Sequence, residues 1–338
     1  MPPLTEKRLR ELLGNFNGKR IAVVGDLMLD RYYWGSVRRV SPEAPVPVVE
    51  VDTESVRFGG AANVANNIQA LGGRAYLVGL VGDDHPGSMF RKMLTDQGLE
   101  TGGIVVDPGR PTTVKTRVIA AGQHVVRIDN ESKQDCPPAL GANLIDAIRR
   151  NIGSLDGVII EDYNKGVVTG ELIHAVIDAA VGAGKPVTVD PKFNNFFEYR
   201  NVTVFKPNRR EVEEAVGGKL NTIADVERAG KGLLASLNAR NVLLTRGEEG
   251  MSLFQSDGTV THLPTTAEVV QDVSGAGDTV ISTLTMALVA GGDIAESCLL
   301  ANCAGGVVVG AVGIVPILPA QLREAALREM ARRGDGHH

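Results

Sequence analysis

The sequence predicts an α/β protein in which a doubly wound, mostly parallel sheet carries helices on both faces and a small β-sheet is appended as a lid. Three observations lead there. Short apolar runs end in Gly, Asp or Asn, as buried parallel strands do. Helical patterns follow several of those runs, which is the rhythm of strand, crossover and strand. Two further stretches hold strand patterns with no helix between them.

Along the chain, Leu9, Leu12, Leu13 and Phe16 fall on one face of an N-terminal helix. The segment is charged and has no apolar h-region, so it does not read as a signal peptide. "RIAVVGD" is the first core strand. Residues 32–58, with "VPVVEVD", form the first β-only stretch. "RAYLVGLVGDD" is the next core strand, and a helix is predicted over 86–96. Residues 104–130, with "TTVKTRVIAAGQHVVRID", form the second β-only stretch. Two such insertions most simply make one small sheet, suited to a lid or a subunit contact.

"DGVIIEDYN", "KPVTVDPK", "VTVFKPN" and "NVLLTRG" supply further core strands, interleaved with helices over 169–183 and Arg209–Val216. Ligands of doubly wound sheets gather at the carboxyl ends of the strands. That singles out Asp26, Asp162, Asp190, Asn208 and Thr245. Residues 297–322 carry no charge, a length that can span a bilayer, and Gly306 with Gly310 makes a G-x-x-x-G. Gly305, Gly313, Pro316 and Pro319 punctuate the stretch, so it reads as a buried helix followed by a turn.

With 35 basic and 40 acidic residues the net charge is −5, which makes nucleic acid and anionic membrane poor partners. Anionic ligands must be bound by local groups. Cys136, Cys298 and Cys303 have neither metal-type spacing nor a disulfide framework, which points to a reducing cytoplasm. The P-loop, the G-x-G-x-x-G fingerprint, H-E-x-x-H and G-x-S-x-G are all absent.

Four clusters carry chemistry. In "SGAGD", Gly275, Ala276 and Gly277 leave a bare backbone whose N–H groups can converge on an anion at a helix start. Asp278 then stands where a general base would stand. By itself the stretch reads better as a tight turn with Asp278 as an N-cap, since helix starts are common and active sites are few. In "FGGAANVANNIQALGG", Gly59 and Gly60 permit close approach, and Asn63 and Asn67, one turn apart, can read sugar hydroxyls. A Gly turn before a tightly packed helix explains it as well. In "KPNRREVE", Asn208 and Glu211 share a helix face, fit to order the water shell of Mg²⁺ or to form a capping box. In "LLTRGEEGM", Thr245, Gly247 and Gly250 end a strand in a loop that can lie along a nucleotide.

In this order the four clusters resemble the ribokinase-like (PfkB) carbohydrate kinases, from Gly25 to about Pro316. The resemblance implies a three-layer αβα fold, a single domain over 1–338, and lid insertions at about 32–58 and 104–130. "GDLMLDRYYWG", "RVSPEAPVPVVEV", "EDYNKG" and "VDPK" are similar to the branch that phosphorylates D-glycero-D-manno-heptose 7-phosphate at C1, for ADP-heptose and the lipopolysaccharide core.

By that resemblance Asp278 takes the sugar proton and the amides around Gly275, Ala276 and Gly277 form an anion hole. Asp30, Gly59, Gly60 and Asn63 match sugar-binding positions, with Asp190 at a strand end beside them. Lys165 and Lys192, with Arg117 and Arg127 of the lid, are the candidates for the 7-phosphate. Lys206, Asn208, Thr245, Gly247 and Asn302 sit where the family holds ATP. Asn208 and Glu211 match the N-x-x-E motif associated with Mg²⁺. Asp272 and Ser274 lie where many members bind K⁺; Ser274 replaces the usual Thr.

The expected partners are a sugar phosphate and ATP, with a homodimer formed through the lid. No H-x-G-H motif follows residue 320, so a kinase without a fused nucleotidyltransferase is expected. The competing readings are another sugar kinase of this fold and a non-catalytic sugar or nucleotide sensor. A sensor would have no use for an intact Asp278 behind its glycines.

Overall fold

A computed structural model describes residues 4–311 and 313–335. Helix α1 (Glu6–Gly14) precedes strand β1 (Arg20–Gly25), and β2 (Leu27–Val40) and β3 (Pro47–Gly60) then leave the main sheet. Helix α2 (Ala61–Ala70) leads back to β4 (Arg74–Gly82), and α3 (His85–Asp96) crosses to β5 (Glu100–Asp107). Strands β6 (Thr113–Ala120) and β7 (Gln123–Asn130) join β2 and β3. Next come α4 (Pro138–Asn151), β8 (Gly157–Glu161), α5 (Gly170–Gly182), β9 (Val187–Asp190), β10 (Val204–Phe205), α6 (Arg209–Val216) and α7 (Ile223–Leu237). The meander β11 (Asn241–Thr245), β12 (Met251–Gln255) and β13 (Val260–Leu263) runs into α8 (Ala276–Val289), α9 (Ile294–Val308) and α10 (Pro319–Asp335).

The nine-stranded sheet has the order β13-β12-β11-β10-β9-β8-β1-β4-β5. β1 pairs in parallel with both β4 and β8, so the winding reverses there and opens a crevice at the carboxyl ends of β1 and β8. Successive residues of β1 serve opposite layers. Ile21 and Val23 pack with Leu9, Ile68, Ile281 and Leu300 of α1, α2, α8 and α9. Ala22 and Val24 pack with Ile148, Ile173 and Leu233 of α4, α5 and α7. This is the expected three-layer αβα arrangement. Burial on both faces is why the core strands read as unbroken apolar runs.

The lid has the order β3-β2-β6-β7, with β2 antiparallel to β3 and parallel to β6. Its limits differ from the sequence expectation. β2 starts at Leu27 and β3 runs to Gly60, so both ends of the first segment are rooted in the crevice. The start at 104 is corrected: β5 belongs to the main sheet, parallel to β4 across α3, and the second lid segment begins at Thr113. "GGIVVD" is a strand by pattern, but only its through-space neighbour decides which sheet it joins. Within 297–322, α9 is buried through most of its length. No helix among the described residues is long and apolar enough to cross a membrane.

Candidate active site

Helix α8 begins at Ala276, and its N-cap is Gly275, held at φ +76° in the left-handed region that favours glycine. Asp278 is therefore the third helical residue and not a cap, which removes the alternative open from sequence. Its side chain is buried, with one donor on each oxygen. Asn63 Nδ2 donates to Oδ2 at 2.6 Å and Tyr163 Oη donates to Oδ1 at 2.8 Å. Burial pushes this carboxyl up to about 6, against the pull of those two hydrogen bonds. The result is an oriented carboxylate that is still mostly ionised at neutral pH, as a general base requires. The Ala276 N–H is used in the turn, donating to the Val273 carbonyl at 3.3 Å. Those of Gly275, Gly277 and Asp278 have no backbone acceptor among the described residues, which leaves free donors at a helix N-terminus.

The floor of the site is built from strand ends. Asp26, just past β1, accepts from the amides of Tyr163 at 2.7 Å, Lys165 at 3.1 Å and Val167 at 3.2 Å. One buried carboxylate thus winds the loop after β8 and aims Tyr163 at Asp278. Burial, aided by Asp162, pushes Asp26 up to about 6. Lys206 Nζ lies 2.7 Å from Asp190 Oδ2, both buried, and Lys192 pairs with Glu211 beneath the Tyr163 ring. A side chain at Gly277 would point at Asp190 and Lys206, 3.4 and 3.6 Å away, so the glycine turn overlies that ion pair. Glu161, the last residue of β8, is wholly buried, and neither of its oxygens has a hydrogen-bond partner among the described residues. Carboxylate oxygens of Glu161, Asp190 and Asp278 lie within 4.8 Å of one another.

On the lid side, Asp30 of β2 is buried and ion-paired with Arg117 of β6. A Cβ at Gly59 would collide with Asp30 Oδ2, so any larger residue here must displace that carboxylate. Gly60 has φ +57°, and a Cβ there would meet the Asp26 carbonyl. Asn67 is structural: it donates to the Asn63 carbonyl and accepts from Thr279 and the Ile317 amide. Lys165 Nζ is 2.7 Å from Glu131 Oε1, and Lys115 Nζ is 3.5 Å from Glu131 Oε2. Arg127 is not brought to Asp278; its side chain is 60% exposed and pairs with Asp129 on its own strand.

On the opposite side, Asn208 and Glu211 form a capping box for α6, with bonds of 2.9 and 2.8 Å. Lys192 takes the other Glu211 oxygen, so each oxygen already accepts one bond and the pair suits the water shell of Mg²⁺. The Thr245 amide donates to the Pro207 carbonyl at 3.0 Å, and Gly247 opens the short turn Gly247–Glu249. Asn302 departs from expectation: it is buried, and its Nδ2 donates to the Pro264 carbonyl at 2.7 Å, so it braces α9 against that loop and offers no free amide to a ligand. Asp272 accepts from the amides of Ser274 at 2.9 Å and Gly313 at 3.0 Å, tying two loops together. Burial raises its pKa, but those amides outweigh burial and hold it below the usual carboxylate range.

The sequence pattern described as "pfkB family carbohydrate kinase" matches residues 19–321. The chain belongs to that family. This pfkB-family sugar kinase is 43% identical over 319 residues to the bifunctional protein HldE of Geobacter metallireducens, covering 94% of this chain and 65% of that protein. It is 45% identical over 322 residues to HldE of Caulobacter vibrioides, covering 95% and 66%. The chain thus spans slightly less than two thirds of these relatives. The structure of Arabidopsis thaliana ribokinase complexed with ribose and ATP matches with a TM-score of 0.70 at 20% identity, over 93% of this chain and 99% of that one. Phosphofructokinase-2 from Escherichia coli in complex with potassium matches with a TM-score of 0.73 at 18% identity, over 94% and 100%. At these identities the likeness establishes the ribokinase-like fold.

Two residues of the kinase site, Glu161 and Tyr163, were not among the sequence candidates. Their signal lay in "EDYN" at the end of β8, where Glu161 reads as the last residue of an apolar strand. That it meets Asp190 and Asp278 follows from strand order, which no local pattern encodes.

Proposed function

We propose that this pfkB-family kinase transfers the γ-phosphoryl group of ATP to the C1 hydroxyl of D-glycero-D-manno-heptose 7-phosphate, giving the 1,7-bisphosphate used for ADP-heptose and lipopolysaccharide core synthesis. The observation that carries phosphoryl transfer is the buried Asp278 carboxylate, fixed by Asn63 and Tyr163 beside unpaired helix amides. Asp278 takes the hydroxyl proton while the bond from the C1 oxygen to the γ-phosphorus forms. The bond from that phosphorus to the bridging oxygen breaks, and its electron pair leaves on ADP. The amides of Gly275 and Gly277 and the ammonium of Lys206 meet the charge on the transferred group.

The heptose assignment is supported by the "GDLMLDRYYWG", "EDYNKG" and "VDPK" blocks and by the likeness to the HldE proteins. In this reading Asp30, Gly59, Gly60, Asn63 and Asp190 bind the sugar. Lys165, joined by Lys115, receives the 7-phosphate, and Glu131 holds both ammonium groups until it arrives. Lys192, paired with Glu211, serves the nucleotide side with Lys206, Asn208, Thr245 and Gly247. Mg²⁺, when bound, neutralises charge on the β- and γ-phosphates. K⁺ is assigned beside Asp272 and Ser274. A homodimer through the lid is supported by the exposed Val37, Val40, Val51, Val126 and Ile128; a monomer in sedimentation at micromolar concentration would remove it.

The test is ADP formation with heptose 7-phosphate beside ribose, fructose and fructose 6-phosphate. Heptose 7-phosphate should be preferred, and Asp278→Asn should lower the rate about 10²–10⁴-fold. Preference for another sugar would overturn the substrate, and sugar binding without turnover would overturn catalysis.

A further inference from the structure

Arg110 has no part in the reaction above, yet its side chain is firmly held. It leaves the turn after β5, just before the second lid segment begins, and is 8% exposed. A guanidinium buried to that degree must be paired and hydrogen-bonded. Its Nε donates to Asp107 Oδ2 at 3.0 Å, its Nη1 to the Lys165 carbonyl at 3.2 Å and its Nη2 to the Gln134 carbonyl at 2.8 Å. Resting on the roles assigned above to Tyr163 and Lys165, we propose that Arg110 is a positioning residue. It clamps the two roots of the lid to the loop after β8, and so places Tyr163 for Asp278 and Lys165 for the phosphate of the sugar.

The two roots are separate in the chain. Residues 108–112 lead out to β6, and residues 131–137 return from β7 to α4. Asp107 shapes the first: its Oδ1 accepts from the Gly109 amide at 2.9 Å while Oδ2 holds Arg110. Thr112 ties the same root to the start of α3, donating to Asp84 from its amide at 2.9 Å and from its hydroxyl at 2.6 Å. The returning root meets the loop after β8 at Gly166, where a Cβ would collide with the Gln134 carbonyl. There the Cys136 amide donates to the Gly166 carbonyl at 2.6 Å. Arg110 thus closes a junction of three chain segments, a task that suits a planar fork of fixed donor directions better than a flexible ammonium.

The clamp completes what Asp26 begins. Asp26 grips the amides of Tyr163, Lys165 and Val167 from the sheet side. Among the described residues the Lys165 carbonyl accepts from Arg110 alone. Lys165 is therefore fixed through both its amide and its carbonyl, and its ammonium is received by Glu131 of the returning root at 2.7 Å. Tyr163, two residues upstream, keeps its hydroxyl on Asp278. Without the fork, Asp107 is a buried carboxylate with no cation and two carbonyls lose a donor, so the loop is free to shift.

The test joins kinetics to hydrogen exchange on Arg110→Gln and Arg110→Lys. The lysine variant keeps a charge opposite Asp107, which guards against a glutamine variant that fails to fold, and circular dichroism checks both. With heptose 7-phosphate and ATP, both should raise the KM for the sugar phosphate by up to about 10²-fold and leave the KM for ATP unchanged. Acting through Tyr163, they should lower kcat at pH 7 by no more than the roughly two- to tenfold that loss of its hydroxyl costs. In a Tyr163→Phe background the same substitutions should change kcat by less than about twofold, because the donor they displace is already gone. Equal kcat losses in the two backgrounds, or a matched rise in both KM values, would mark a residue needed only for folding and overturn the proposal. In the ligand-free protein, amides within 163–167 should exchange about tenfold faster in both variants, as expected for one lost bond to a charged group, while those of β1 and β4 hold. Unchanged exchange there overturns the clamp whatever sugar the enzyme uses. Faster exchange there in a protein that turns over no sugar supports the clamp and overturns the proposed function instead.

Discussion

Tyr163→Phe tests the chemistry of the proposed base most directly. The substitution keeps the ring and its contact with Lys192 but removes the hydroxyl that donates to Asp278 Oδ1 at 2.8 Å. Burial drives the Asp278 carboxyl up to about 6, while Asn63 and Tyr163 pull it down. Removing a bond that favours the charged form must therefore raise it further. A hydrogen bond to a charged group contributes about 1.5–3 kcal/mol, or roughly one to two pKa units. The acidic limb of kcat/KM should move from about 6 to about 7–8. At pH 7 the ionised fraction then drops from about nine-tenths to between a half and a tenth, a loss of about two- to tenfold that disappears near pH 9. The limb does not belong to Tyr163 itself, because burial and the neighbouring Asp278 push its phenol well above the usual range. The assay is coupled ADP release from pH 5.5 to 9. An unmoved limb with a uniform loss at every pH would refute the argument and leave Tyr163 a packing role.

Three further outcomes follow from the same geometry. Gly59→Ala drives a methyl group into Asp30 and disturbs its pairing with Arg117, so kcat/KM for the sugar should fall by up to about 10²-fold while the KM for ATP holds; a matched rise in both KM values would contradict it. Asp26→Asn leaves one of three loop amides without an acceptor, which should cost about 1–3 kcal/mol in urea unfolding. Because the folded pKa of Asp26 is raised from 3.8 to about 6, its contribution is greatest at low pH and declines through that window, so the gap to the variant should narrow as pH rises. A gap that widens instead would reverse the sign. The three buried cysteines should be nearly inert to Ellman's reagent in the native protein and react fully in urea; rapid native labelling would contradict their burial.

Much of this kinase was determined by local sequence. Continuous apolar runs mark doubly buried strands, and the residues just past them mark the crevice, because both signals depend on neighbours in the chain. The glycines at 59, 60 and 275 answer to crowding by a neighbouring side chain or backbone, or to a left-handed turn, which their motifs announce. What the tertiary structure alone decided concerns partners distant in sequence. Asp278 meets Asn63 across 215 positions and Tyr163 across 115, and those contacts make it a buried, oriented carboxylate and not a cap. Strand order brings Glu161 to Asp190, assigns β5 to the main sheet and leaves Arg127 on an edge strand of the lid, while the packing of α9 turns Asn302 inward. Periodicity reports which face a residue takes; the partner it finds there depends on how separate elements pack, and burial and charge compensation are settled only at that stage.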